Sequence, residues 1–536
     1  MHQAARMYAN GVSVQPQIVS ELVLVARPHL QDMRSQGLAN TAWALAKLGH
    51  VDAAFMDALL QVAMPQLRSF NPQELVNTVF ALAKLGHQDA AFMRALLVAS
   101  ERKLPSFNSQ DLANTVWALA TLGHNSAVFM GALLVASEQK LPSFTPHAMA
   151  NTVWALATLG HNDVAFMDAQ LVAAKLQLHS FTAQALANTV WALATLGYQD
   201  AAFMDALLVA AELKLPSFIP QALAKTVWAL ATLGYNDAAF MRALLVAAEA
   251  KQPSFNSQQL GNTPKLLRFT AQNLANTVWA LATLGHNDAA FMGTLLVSAE
   301  PKLLSFTPQA LANTMWALAT LSHNDAEFMD ALLVVAQSKL PSFKVQELAN
   351  TAWALAVCDE QNAAFVDALI PHVAASATDF RPPALLQLLQ FMLWLDNWQV
   401  ATDVPPRLLV RCKHAWMEEV GNTTVSRTQP QVLDAVIQLP GCSGAISEHL
   451  TDDGLFSIDI AVQLPGGLKL AVEVDRPFHF LSSAPTVPNG ATRLNNQLLE
   501  ARGWRVVSVL VTEWDRHFTK GRQAAHDYLT SLGVCG

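Results

Sequence analysis

Hydrophobic and polar positions recur along most of the chain in one arrangement. In LANTVWALATLGH, Leu112 to His124, the apolar residues fall three and four apart, the spacing of a helix with one broad apolar face. Near-copies carry Asn151, Asn188, Asn276 and Asn313 in place of Asn114, and looser ones begin at Leu38, Leu75 and Leu348. After each copy comes a stretch of the AFMDALLVAA type, again with helical spacing, which usually halts at Leu-Pro-Ser. One unit, Phe306 to Ser342, therefore predicts two helices joined by a turn. Its Asn-Thr anchor falls at Asn40, Asn77, Asn114, Asn151 and Asn188, gives way to Lys225, returns at Asn262, Asn276, Asn313 and Asn350, and ends as Gln387. Every step is 37 residues except the 14 from Asn262 to Asn276. A fixed period of this size is the mark of a solenoid. The pattern thus predicts an α-solenoid of 37-residue helical hairpins over 33–398, with 1–32 a partial repeat or cap and 380–398 a capping unit. It also predicts a degenerate unit near 255–269 that has lost 23 residues, with Pro264 breaking its first helix.

The helix ends are written locally. Asn71-Pro72-Gln73-Glu74 and Asn108-Ser109-Gln110-Asp111 read as capping boxes, and Thr307-Pro308 as a cap followed by a first-turn proline. Gly86 and Gly123 suit left-handed C-caps, and second helices are predicted to start near Asp163 and Asp325. At about 100° per residue, Leu112, Ala113, Val116, Trp117, Leu119 and Ala120 form the expected core arc. Gln110, Asp111, Asn114, Thr115, Ala118 and Thr121 form a polar arc. The tryptophans from Trp43 to Trp353 are expected to pack between repeats.

The polar arc is the candidate binding surface. It offers Gln73, Gln110, Gln184, Gln221 and Gln309 near its start, Asn40, Asn77, Asn114, Asn151, Asn188, Asn276, Asn313 and Asn350 in its middle, and Lys47 and Lys84 at its end. The column just after the Gln changes from unit to unit: Glu74, Asp111, Ala148, Ala185, Ala222, Asn273, Ala310, Glu347. Amides pair with base edges as donor and acceptor at once, and a helical repeat reading one base with two or three side chains is an RNA-binding mode. The competing expectation is an Asn ladder that only joins repeats. Lys103, Lys140, Lys214, Lys251, Lys302 and Lys339 recur near the second-helix ends, either as a basic rim or as solvated cations at helix C-termini.

The texture changes after the solenoid. Residues 399–449 read as a helical linker, and LFSIDIAVQL, LKLAVEVDRPFHF and WRVVSVLVTEW read as strands around the helix GATRLNNQLLEARGW. This predicts a small α/β domain over 450–530. Glu473 and Asp475 share one face of a strand, and Asp459 joins them if the hairpin is in register. Such a carboxylate cluster can hold Mg²⁺ for phosphodiester hydrolysis, with Asp459, Glu473 and Asp475 as catalytic candidates. The restriction-endonuclease fold has a lysine two residues after its second acid; that place is Asp475 here, which favours a degenerate, non-cleaving domain and no cofactor. His479 reads as a half-buried polar residue rather than a ligand.

Composition narrows the class. The chain is 52% hydrophobic and carries a net charge of −8, against a general polyanion binder and against a membrane-surface protein. No window is long and apolar enough for a transmembrane helix. Cys358, Cys412, Cys442 and Cys535 are scattered, without zinc spacing or a disulfide framework. The N-terminal residues form no secretory signal, and no targeting peptide is evident.

SIDIAV, AVEVDRPFHF and NGATRLNNQLLEARGWRVVSVLVTEW resemble a RAP domain over roughly 450–520. Arg476 stands where that family usually has Gly, and Asn495 where it usually has Lys. The 37-residue units are similar to octotricopeptide and heptatricopeptide repeats, and to the helical region of FAST-kinase-like mitochondrial proteins. The resemblance implies a nucleus-encoded factor of the mitochondrion or chloroplast. It implies single-stranded organelle RNA as partner, no DNA and no membrane, and protein partners through the RAP-like domain. Its roles would be transcript stabilisation, processing, ribosomal-RNA maturation or translation. Three functions stay open on the residues: a sequence-selective RNA binder, a metal-dependent RNA-processing nuclease, and a protein-binding scaffold.

Overall fold

A computed structural model describes residues 15–250, 265–400, 404–421, 426–442 and 444–534, together with residues 3 and 5. It divides into two compact units, Met1–Leu233 and Gly234–Gly536. Among the described residues no helix is long and apolar enough to cross a membrane. The Gly261–Pro264 stretch with Asn262, as well as Lys251 and Cys535, lies outside the described residues.

In the first unit, the helix Pro16–Ala26 and its 3-10 turn Arg27–Asp32 have the form of a second helix. Full hairpins follow. First helices Ser35–Leu48, Pro72–Leu85, Ser109–Leu122, Pro146–Leu159, Ala183–Leu196 and Pro220–Leu233 each pack along the next. Each starts and stops where its sequence says. Asn71 Oδ1 accepts from Glu74 N at 2.9 Å while the Glu74 carboxylate accepts from Asn71 N at 2.9 Å, a reciprocal capping box. Asn108 and Asp111 repeat it at 2.9 and 3.1 Å. Gly123 at φ 65° ends its helix, with His124 N donating to Leu119 O at 2.9 Å. Second helices are capped by aspartates, such as Asp163 accepting from Phe166 N at 3.0 Å. The Asn-Thr anchor splits inward and outward. Thr115 is 1% exposed and donates to Asp111 O at 2.7 Å, and Thr78, Thr152 and Thr189 do the same to their own i−4 carbonyls.

Four of the recurrent lysines form neither a rim nor a solvated edge. Lys103 Nζ reaches back to the carbonyls of Arg68, at 3.1 Å, and Phe70, and Lys140 to those of Pro105, at 2.9 Å, and Phe107. In the second unit Lys302 holds Leu267 O and Phe269 O at 2.9 and 2.8 Å, and Lys339 holds Leu304 O and Phe306 O at 2.8 and 2.6 Å. Each of these four lysines therefore clamps the carbonyls that close the preceding repeat, whereas Lys214 makes no such bond. Gln177 fills the same place more weakly, 3.4 Å from Phe144 O. Replacing Lys103 or Lys140 with Met keeps the stem and removes the charged donor. Each change is expected to cost about 1.5 kcal/mol, read as a fall in thermal midpoint by circular dichroism, with an additive double variant.

The second unit opens with the helix Ala238–Glu249 and continues through the 3-10 turn Lys265–Arg268 to the first helix Ala271–Thr283. The expected degenerate unit near 255–269 falls mostly outside the described residues. Asn236 Nδ2 bonds Leu284 O at 3.3 Å, as Asn287 bonds Leu321 O at 3.2 Å and, in the first unit, Asn125 bonds Leu159 O at 3.1 Å. The ordinary neighbour relation holds here, across a spacing 14 residues longer than elsewhere, 48 against 34. First helices Pro308–Thr320 and Val345–Cys358 follow, then Pro382–Asn397.

The C-terminal domain begins with α1 (Gln429–Ile437), then β1 (Ile446–Leu450), β2 (Ser457–Gln463), β3 (Lys469–Asp475), the hairpin β4 (Phe480–Leu481) and β5 (Ala484–Pro488), α2 (Gly490–Glu500), β6 (Trp504–Leu510), α3 (Val511–Phe518) and α4 (Arg522–Ser531). The main sheet runs β1-β2-β3-β6, antiparallel except for β3 with β6, the restriction-endonuclease-like arrangement of three antiparallel strands and a helical crossover to a parallel fourth. Two expectations change here. The α1 helix and β1, read as linker, supply core residues Val432 and Val436 and one sheet edge. The VTEW stretch, read as strand, is the start of α3, because Trp514 turns fully into the core and stacks on Phe518 at 5.5 Å, one helical turn on.

Candidate nucleic-acid interface

The exposed strip of each first helix differs from the wheel's polar arc. Ala118 is 0% exposed and Thr115 buried, while Trp117 is half-buried beside Asn114. The physical reason is that neighbouring first helices cover both flanks and a second helix covers the back. Only a narrow line stays open, at Gln110, Asn114, Trp117 and Thr121, all within one helical stripe. The tryptophans do pack between repeats, with Phe80 and Trp117 centroids 5.3 Å apart and Trp316 and Trp353 6.4 Å apart. Except for Trp353, they are only half-buried and line the strip as well.

In the first unit the strips border a groove of about 860 Å³, lined by Asn40, Asn77, Asn114 and Asn151 with Gln73, Gln110, Lys47, Trp43 and Phe80. Lys47 Nζ lies 5.7 Å from the Trp43 ring and 5.4 Å from Phe80, and Lys84 6.0 Å from Trp117, so these cations rest on the aromatic column. Gln184 and Gln221 are exposed in the same column, as is Gln309 in the second unit. The Asn side chains do not form a continuous ladder. Asn188 accepts from Gln184 at 3.1 Å on its own helix and from Lys225 at 3.1 Å, and Asn151 meets His147 at 3.4 Å. In the second unit Asn276 accepts from Gln272 at 2.7 Å, and Asn350 from Gln346 and Gln387 at 2.9 and 3.1 Å. Among the described residues, the anchor column bonds from repeat to repeat only at Lys225 and Gln387, where the anchor is not Asn. Asn40, Asn77, Asn114 and Asn313 have no side-chain hydrogen bond among the described residues. The changing column lies mostly beside the strip, although Asp111 and Ala148 also border the groove and Asn273 is half-buried. Glu74, Asp111 and Glu347 serve the helix caps, and Ala148, Ala185, Ala222 and Ala310 are buried.

In the C-terminal domain the β2–β3 register brings Asp459 beside Glu473, with Glu448 of β1 next to them. Asp459 Oδ2 accepts from Val474 N at 2.7 Å, and Asp475 Oδ1 is 2.6 Å from His479 Nδ1. Glu448 accepts from Gln429 at 2.5 Å. Glu473 Oε1 and Asp475 Oδ2 are enclosed without partners. Burial, then the neighbouring carboxyls, lift Glu473 well above the usual carboxyl range; burial, with Glu448 and Asp475 nearby, lifts Asp459 to about 6. Lys469 stands apart, paired with Asp452 at 3.1 Å. Among the described residues no three His, Cys, Asp or Glu groups converge as a metal site. One oxygen of Asp459 is taken by a backbone amide and one of Asp475 by His479, and no lysine stands at the acids. Burial makes these carboxyls keep their protons to higher pH. The folded form binds more protons than the unfolded one once pH passes the usual carboxyl value, about 4, so stability falls as pH rises through 6. Glu473→Gln is expected to raise domain stability by about 1–2 kcal/mol at pH 8 and to change little at pH 4. A thermal midpoint measured against pH checks this; a midpoint raised by magnesium in the parent and not in the variant would return the cluster to a metal.

The same domain docks on the second unit's first helices at their C-terminal ends. Ser483 N donates to Gly285 O at 3.2 Å, Ser483 Oγ accepts from Asn287 N at 2.7 Å, Ser322 Oγ donates to Pro488 O at 3.3 Å, and Arg493 Nη2 donates to Val357 O at 2.6 Å. A guanidinium at helix-terminal carbonyls also meets the negative end of the helix dipole.

Comparison with known families agrees with both halves. Residues 2–122, 49–233 and 257–412 match the model described as Tbc2 translation factor, N-terminal domain. Residues 472–532 match the RAP domain.

Proposed function

The chain belongs to the Tbc2 translation factor N-terminal domain family and ends in a RAP domain, and from that premise we propose that it is a single-stranded RNA-binding factor of an organelle, selecting its target by sequence. The observation that carries this reading is the groove in the first unit, where amides without protein partners lie beside aromatic edges on successive repeats. Aromatic edges and paired donor–acceptor amides are the groups that unstacked bases offer partners to. The name of the matched family, a translation factor, favours an effect on translation over processing, stabilisation or ribosomal-RNA maturation. The RAP domain contributes a docked surface rather than a cleaving centre. Purified full-length chain is expected to enrich ligands from a random RNA pool. Its affinity should fall only gently with salt, with a log–log slope of roughly −2 if Lys47, Lys84 and Lys225 each meet a phosphate. Failure to retain any RNA at low salt would overturn the reading and favour a protein partner on the strip.

A further inference from the structure

The strips are nearly identical from repeat to repeat, and that constrains the ligand. One unit presents Gln110, Asn114, Trp117 and Thr121; two units on, Gln184, Asn188, Trp191 and Thr195 occupy the same places. The unit between differs only by His147 at the Gln position. In the second unit Gln272, Asn276, Trp279 and Thr283 are followed by the same four types from Gln309 to Thr320. Where Gln donates to Asn, as at Gln184 and Gln272, the Gln carbonyl and an Asn N–H remain free side by side. Most of the threonine hydroxyls are spent on their own helices, Thr121, Thr195 and Thr283 each donating to a tryptophan carbonyl at 2.9 Å, while Thr320 Oγ1 is enclosed without a partner. The positions that do vary between units are mostly caps or buried alanines; of them Asp111 and Ala148 border the groove and Asn273 is half-buried.

In a helical-repeat reader, base preference is set by the two or three side chains that each repeat presents. Equal side chains on equal backbones carry equal preference. Resting on the RNA-binding reading above, we propose that the strip selects a run of one base type, a homopolymeric or nearly homopolymeric single-stranded segment, rather than a mixed sequence. The departures bound the run: Lys47, Phe80 and Lys84 on one side, and Lys225, bonded to Asn188 and resting on Trp191 at 5.4 Å, on the other.

The test is fluorescence anisotropy of the full chain with four homopolymeric RNA oligonucleotides, one mixed-composition oligonucleotide of equal length, and the winner of a random-pool selection. One homopolymer is expected to bind at least about tenfold tighter than the other three and the mixed strand, the discrimination that one or two good base contacts supply. His147→Gln, which makes three successive strips alike, is expected to tighten that homopolymer about threefold, one neutral hydrogen bond's worth. A selected mixed sequence that outcompetes every homopolymer would overturn the inference and leave RNA binding standing. An unchanged affinity in His147→Gln would remove the Gln position from the contact and with it the argument for a uniform strip. Absence of binding to all strands, the selected one included, would fail the RNA-binding reading itself.

Discussion

Gly490→Ala is expected to lift the C-terminal domain off the repeats that hold it. A methyl at Gly490 would overlap the carbonyl oxygen of Ala319 and come within 2.8 Å of its carbon and 2.9 Å of Val357 Cγ1. The first two are backbone atoms inside a packed helix end and cannot swing aside. Alanine is the better helix former by about 1 kcal/mol, so α2 itself does not suffer; any loss comes from docking. Overpacking of this kind costs about 3 kcal/mol, and the release of α2 takes the Arg493–Val357 bond with it. Hydrogen exchange of the full chain reads the change directly. Ser483 N and Asn287 N, both bonded across the docked surface, should lose protection, while β3 and β6 amides keep theirs. Unaltered protection at Ser483 and Asn287 would mean that the docking tolerates the methyl and that Gly490 has no positioning role. Ser483→Ala, which adds no bulk, should weaken the same protection by a smaller amount.

What could be read from the sequence was what neighbouring residues decide among themselves. The period, the Asn71 and Asn108 capping boxes, the Gly123 C-cap and the aspartate caps are all settled within a few positions, and the chain states them in words that repeat. The face of each helix that meets solvent is settled by three other helices. Trp117 looks like core because it is large and apolar, yet its helix has no fourth neighbour on that side, so the ring shares the strip with Asn114. Glu74 looked like a reader because it varies, and its variation belongs to the cap. The lysine clamp was hidden for a related reason: Lys103 and the Phe70 carbonyl it holds lie 33 residues apart, beyond any local pattern. In the C-terminal domain, β1 escaped because ISEHL is a mostly exposed edge strand without alternation, and Glu448 within it sits at φ 53°. The acids were visible as a set, but only the register showed that Glu448 joins Asp459 and that Val474 N occupies one of its oxygens. Gly490 carried no signal beyond a helix-capping Asn489; its need for empty space comes from a repeat more than a hundred residues away.

The strip itself is tested most sharply by changing Asn114, Asn151 and Asn188 to alanine together. Each side chain can give about 1 kcal/mol of net hydrogen bonding to a ligand. The three sit on separate repeats and share no partner, so their losses should add. The sum, about 3 kcal/mol, corresponds to a fall in RNA affinity of more than about a hundredfold. The fold should scarcely notice. Asn114 bonds nothing, Asn151 only His147, and Asn188 only Gln184 and Lys225. Alanine is the stronger helix former, which offsets the lost acceptor of Lys225. A thermal midpoint within a few degrees of the parent, together with the lost affinity, assigns the loss to the surface and not to unfolding. The opposite pairing is equally informative. Were the midpoint to drop while RNA binding persisted, the asparagines would be struts between repeats, and the groove beside them would read its ligand through Trp and Lys alone. That outcome would also explain why the anchor tolerates Lys225 and Gln387, both of which bond across to the preceding asparagine, in a way that a base-reading role does not require.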